Sequence, residues 1–225
     1  MTPYTLHPGT TVLLEPRYYG TIAWYAAAAA HEHSRVVYDV RYDKRRKLTH
    51  RATIADVNGP LDLTMPLTSA PRVAGDTRRV LTWADMTLSP HGEWWNVHRV
   101  ALESAYGRTP YFEYYIDRFR PALTPGVIDR FATLGDIDSY IDSRVRELLD
   151  LPPVLTGEPA GTVVDLTRSE PRLDAAAEPY YQLRAGRLGF ISGLSILDLL
   201  FNLGPEACLW LRRQLQHNHL ILNQP

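Results

Sequence analysis

A single cysteine, Cys208, stands in 225 residues, which excludes an internal disulfide and any zinc or redox site built on a CxxC pair. Such sparing use of thiols points to a reducing compartment. The N-terminus, MTPYTLHPGTTVLLEP, has no basic leader followed by a long apolar run. The most apolar stretch, residues 190–203, is broken by Ser192, Ser195, Asp198 and Asn202 and is too short to cross a bilayer. A soluble, cytoplasmic protein with no integral membrane segment is expected. Excess charge is missing too: 24 Lys and Arg face 25 Asp and Glu, so no global field draws the chain to nucleic acid, and any anion site must be local. P-loop, GxGxxG, GxSxG and HExxH motifs are all absent, which removes the usual signatures of nucleotide, hydrolase and zinc-protease chemistry. No cofactor is expected.

What is present suits an ordinary folded chain, with 45% hydrophobic and 22% charged residues. Residues 11–14 read as a strand, residues 20–30 as an alanine-rich helix and residues 36–40 as a second strand, a β-α-β opening. Residues 47–55 alternate, with Leu48, His50, Ala52 and Ile54 on one face and Lys47, Thr49, Arg51 and Thr53 on the other. Asn58-Gly59 marks a hairpin into the alternating run 61–67, and a further strand is expected in 79–88. Helical spacing then takes over: 92–106, where Arg99 and Glu103 sit four apart for an ion pair, then 110–119, 125–132 and 137–149. Ser195 is a good N-cap for a helix over 196–203, with Gly204 stopping it and Pro205 starting the next. The expectation is a mixed α/β fold: a β-α-β opening with a central hairpin sheet, and a mainly helical second half packed on it. A single domain over 1–225 is expected, sheet-rich over 1–90, helical over 91–150, an irregular surface connection over 151–189 and C-terminal helices over 190–225.

The tract from Lys44 to Arg51 concentrates five fixed positive charges near one strand end. Arginine offers a planar fork and lysine a point charge, so the tract can hold phosphate or carboxylate; its bland alternative is a charged edge that discourages aggregation. If the segment is a strand, Arg51 shares a face with Lys47 while His50 turns towards the apolar side. His50 and His98 then read first as hydrogen-bonded core residues, although Trp94 and Trp95 beside His98 could wall a pocket. His31-Glu32-His33 invites a metal reading, yet it follows a helix and lacks a third ligand in sequence, so no metal is expected. Five aromatics between Tyr106 and Tyr115 form a core corner or a sugar platform. Ser195, Asp198 and Asn202 make one polar stripe on an otherwise apolar helix, facing either solvent or a cavity, where Asp198 would serve as a base or an orienting carboxylate.

Several blocks together resemble the WbqC-like family: Arg17 through Tyr25, Tyr42-Asp43-Lys44 through Thr49-His50-Arg51, Leu63 through Leu67, Trp94 through Tyr106 to Phe112-Glu113-Tyr114-Tyr115, and Phe190 to Pro205. "LSILDLLFNLGPE" is the most specific of them, and His50 stands where relatives commonly carry asparagine. The resemblance implies a bacterial cytoplasmic protein connected with surface polysaccharide or O-antigen synthesis. A transferase acting on a nucleotide-activated or lipid-linked sugar, including one that adds an aminoacyl or acyl group, fits that setting. Lys44 and Arg51 carry over as ligand contacts, with His50, Tyr106 and Asn202 as further binding candidates and His98, Glu103 and Asp198 as catalytic ones. The alternative is a non-catalytic scaffold that recruits glycan-assembly enzymes.

Overall fold

The computed structural model describes residues 6–69, 80–159 and 161–222, and shows a mixed α/β protein. β1 (His7–Leu14) leads into α1 (Ile22–Ala30), whose N-cap Thr21 accepts the Trp24 N–H at 3.2 Å. Every residue of α1 is buried, because its six alanines leave room for neighbours all round. β2 (His31–Val36) begins at the very next residue and runs parallel to β1, Leu14 opposite Val36. The β-α-β opening is therefore present, but the second strand lies five residues earlier than expected. At the edge of a sheet the polar HEHSR run is tolerated, while the more apolar residues 38–42 turn away to bond residues 81–84.

The hairpin is formed by β3 (Arg51–Asp56) and β4 (Gly59–Thr64), paired from Arg51↔Thr64 to Asp56↔Gly59. The expected strand over 47–55 loses its first half: Lys47–Thr49 is a 3₁₀ turn and only Arg51 onward is extended. Lys47 and Arg51 thus do not share a strand face. Beyond Met65-Pro66, β5 (Leu67–Ser69) pairs with β6 (Met86–Leu88), all that remains of the strand expected over 79–88; Trp83–Asp85 is a 3₁₀ turn, and Arg79 lies outside the described residues.

Four helices follow: α2 (Trp94–Tyr106), α3 (Phe112–Phe119), α4 (Val127–Arg130) and α5 (Leu134–Leu149). Arg99 and Glu103 form the expected pair at 2.7 Å. A capping box of Thr133 and Asp136 starts α5.

The connection is where the structure departs most from the sequence pattern. Inside it, β7 (Thr162–Asp165) joins β1 in parallel on the side away from β2, giving the order β2-β1-β7. β8 (Arg172–Leu173) and α6 (Ala185–Leu188) come next, then α7 (Ile196–Leu203), α8 (Glu206–Gln216) and β9 (Leu220–Ile221). β9 pairs with β8, so the tail through Ile221 docks on its own chain. α7 is capped by Ser195 as expected, and its polar stripe is buried rather than solvated.

Gly204 ends α7 at φ 55°, ψ −126°, a conformation open to glycine, and a Cβ there would overlap the Tyr111 ring. Gly204→Ala is expected to cost about 2–4 kcal/mol from backbone strain plus overpacking, read by urea unfolding. A loss under about 0.5 kcal/mol would contradict that account.

Candidate functional site at the carboxyl edge of the parallel sheet

The chain leaves β1 for β2 on one side and returns as β7 on the other. In open α/β sheets ligands bind outside the carboxyl ends of the strands at such a switch of direction. Here the segments that leave those ends carry a buried ionic knot. Glu15, 1% exposed, accepts from Arg17 Nη1 at 2.7 Å, from Arg46 Nη2 at 2.6 Å and Nε at 2.7 Å, and from Trp83 Nε1 at 2.9 Å. The other terminal nitrogen of Arg17 donates to Glu170 at 2.6 Å, and Arg46 also donates to the Arg168 carbonyl at 3.0 Å. Two guanidinium groups meet two carboxylates, which is how charge is kept at low cost away from water. The knot ties together four stretches of chain that are far apart in sequence.

Beside it lies a cavity of about 650 Å³. One wall is Thr21, Ile22 and Ala23, the start of α1; another is Glu170 to Asp174, including β8; a third is aromatic. In that third wall Tyr180 meets Phe190 and Trp210 edge-on, with centroids 5.3 and 5.2 Å apart. Leu48 of the basic tract completes the lining. Carboxylates at the rim are individually matched: Glu170 by Arg17, Asp174 by His219 at 3.0 Å and Glu178 by Arg213 at 3.8 Å. The arrangement offers the positive end of a helix, an aromatic face and a volume that suits a small organic ligand.

Of the residues singled out by sequence, Tyr106, Asp198 and Asn202 come together, around a second cavity of only about 10 Å³. That is at the lower limit for one water. Asp198 Oδ2 accepts from the Tyr180 hydroxyl at 2.6 Å and from Gln182 Nε2 at 3.0 Å, and burial pushes its pKa up despite these bonds. Asn202 bridges the Asp198 carbonyl and the Leu183 N–H, while the Tyr106 hydroxyl accepts from the Ala55 N–H at 3.1 Å. Asp198 therefore backs the aromatic wall of the large cavity through Tyr180.

The other candidates stand apart from these two cavities. Lys44 is exposed on a turn. Arg51 pairs with Asp62 at 2.8 Å across the hairpin, and its Nε is buried without a partner among the described residues. His50 is half-buried, its Nδ1 3.3 Å from the Thr49 hydroxyl; burial first, then Arg51 and Lys47, hold its pKa below the usual range. His98 is buried beside Trp94, with Nδ1 2.9 Å from the Tyr18 hydroxyl, and burial lowers its pKa to about 4. It is neutral at physiological pH. Glu103 lies on the exposed side of α2, held by Arg99.

His31, Glu32 and His33 lie on strand β2 rather than beyond a helix turn. His31 Nδ1 is 2.9 Å from the Ala27 carbonyl and Glu32 accepts the Gly9 N–H at 2.6 Å. Among the described residues no group of three His, Cys, Asp or Glu is placed to hold a metal ion.

Sequence reasoning gave no site role to Glu15, Arg17, Glu170, Tyr180 or Trp210, and did not separate Arg46 from its neighbours. One signal was available: Glu15-Pro16-Arg17 places two opposite charges directly after the first strand and just ahead of the alanine helix.

Among the described residues no helix is long and apolar enough to cross a membrane. No curated protein and no solved structure matches the chain. A family model does match, that of the WbqC-like protein family, over residues 16–154. The match takes in Arg17, Arg46 and Trp83 of the knot together with the tract and α2, and ends before β7. With more than half of its length covered in this way, the chain belongs to the WbqC-like protein family.

Proposed function

We propose that this protein is a transferase of bacterial surface-polysaccharide synthesis that binds a nucleotide-activated or lipid-linked sugar at the carboxyl edge of its three-stranded sheet. The observation that carries the reading is the cavity of about 650 Å³ that joins the start of α1, the aromatic wall and Leu48 of the basic tract. Its size falls in the range of sites for small organic ligands, about 300–1,000 Å³. In this reading the phosphate lies towards the first turn of α1 and a ring packs on the wall of Tyr180, Phe190 and Trp210, while Lys44 and Arg51, which stand apart from the cavity, do not touch the ligand. Asp198 acts on the ligand only through the Tyr180 hydroxyl that it holds, as a positioning residue. His98 is neutral, with Tyr18 on its Nδ1 and a backbone hydrogen bond to Thr64, and it does not line the cavity, so it takes no proton from the ligand in this reading.

Calorimetric titration with nucleoside diphosphates and their sugar conjugates tests this. Binding is expected, and Leu48→Trp, which places an indole in the cavity, should weaken it at least about tenfold. Absence of binding by every conjugate, or binding indifferent to Leu48→Trp, would remove the cavity from the function.

A further inference from the structure

β7 is one edge of the three-stranded sheet, and the phase of the hydrogen bonds shows which of its groups face outward. The Leu166 N–H donates to the Leu13 carbonyl at 2.9 Å, and a parallel pair bonds through alternate residues, so Thr162 and Val164 turn their N–H and C=O groups to β1. Val163 and Asp165 turn theirs away. At the opposite edge the Val37 N–H donates to the Leu14 carbonyl, which by the same rule leaves the Ser34 carbonyl pointing outward, and there the Leu155 N–H fills it at 2.8 Å. Among the described residues no such partner meets the backbone of Val163 or Asp165, and Val163 is 46% exposed. Unpaired groups in a row are a template for another strand.

The strand that fits this edge is a second copy of itself. A two-fold axis through Val164, normal to the sheet, sets two copies of β7 antiparallel and places Val163 of each opposite Asp165 of the other. Both pairs then exchange N–H···O bonds in each direction, and no like charges face one another. At the axis Val164 meets its own copy. That residue is half-buried against the core, so the contact completes a burial that its own chain leaves unfinished. An antiparallel neighbour on an otherwise parallel sheet is an ordinary arrangement. We infer that β7 is a dimerisation edge, joining two copies of the chain into one continuous sheet in the order β2-β1-β7-β7-β1-β2. Because the joined strands run in opposite directions, the two candidate cavities lie at opposite ends of that sheet. The contact is small, so the dimer is weak and depends on concentration.

Sedimentation velocity of the full chain, at loadings from about 5 μM to about 500 μM, is expected to show monomer passing into dimer. Amide hydrogen exchange reads the register. Across that range protection should rise at Val163 and Asp165, whose N–H groups face outward, and stay level at Val164, which is bonded to β1 throughout. Charge at the exposed Val163 position then tests the pairing itself. Val163→Glu sets a carboxylate against Asp165 of the second copy and should weaken the dimer at least about threefold, whereas Val163→Lys sets an ammonium there and should tighten it by about the same factor. Loss of an apolar side chain alone would move both variants in one direction. A chain that stays monomeric at every loading, a dimer that the two substitutions shift alike, or Val163 and Asp165 amides already protected at the lowest loading overturns the inference.

Discussion

Glu15→Ala is expected to lower the unfolding free energy by about 3–5 kcal/mol, the usual cost of removing one partner from a buried ionic cluster. The carboxylate is closed off from solvent and serves three donors at once. Without it the Arg17 guanidinium, itself buried, keeps Glu170 and a long bond of 3.3 Å to the Pro16 carbonyl, and the Trp83 indole N–H loses its acceptor. Arg46 is better placed to recover, because 27% of its side chain reaches water. Glu15→Gln should cost less, since an amide oxygen still accepts from one donor while the charge imbalance remains. Urea unfolding of both variants supplies the measurement. A loss under about 1 kcal/mol for Glu15→Ala would mean that the knot is solvated in solution.

The second large effect is a dependence on pH that His98 imposes. Its pKa in the folded protein, about 4, lies below the ordinary value of 6.5, so protons bind preferentially to the unfolded chain. The neutral ring therefore contributes stability that is complete above pH 6.5 and lost as pH falls towards 4, a change of about 3 kcal/mol. Asp138 and Asp198 pull the other way: burial raises both carboxyl pKa values, so their contribution grows as pH falls. The His98 component is isolated by comparison with His98→Gln, in which both carboxyls remain. The wild-type advantage over His98→Gln should shrink by about 3 kcal/mol between pH 7 and pH 4. A difference that stays flat across that window would show that the ring is open to water.

What could be read from the sequence is what local rules decide. Ser195 and Gly204 mark helix ends by side-chain or backbone chemistry that acts within a few residues, and Asn58-Gly59 closes its hairpin for the same reason. Alternation misled at Lys47–Thr49, because a charged and β-branched run of that length satisfies the strand pattern while the backbone makes a 3₁₀ turn that sends Arg46 to Glu15. The basic tract consequently divides by partner and not by strand face: Arg46 belongs to the knot, Arg51 to Asp62, and Lys44 to solvent. β7 was hidden for a different reason. Four residues, Thr-Val-Val-Asp, preceded by Gly157, Pro159 and Gly161, make a strand only because β1 stands ready to receive them. The candidate site inherits that opacity, since Glu170, Tyr180 and Trp210 reach it through tertiary contacts alone.

The placement of β7 also fixes an order of events. Thr10 pairs with Thr162 across about 150 residues, and β8 waits for β9 a further stretch downstream. A chain that emerges from the ribosome N-terminus first can join β1 to β2 within its first 40 residues or so, but the wall formed by β8 closes only after nearly everything else has been synthesised. Until then the first turn of α1 faces an open edge, and the protein is a scaffold before it has a pocket.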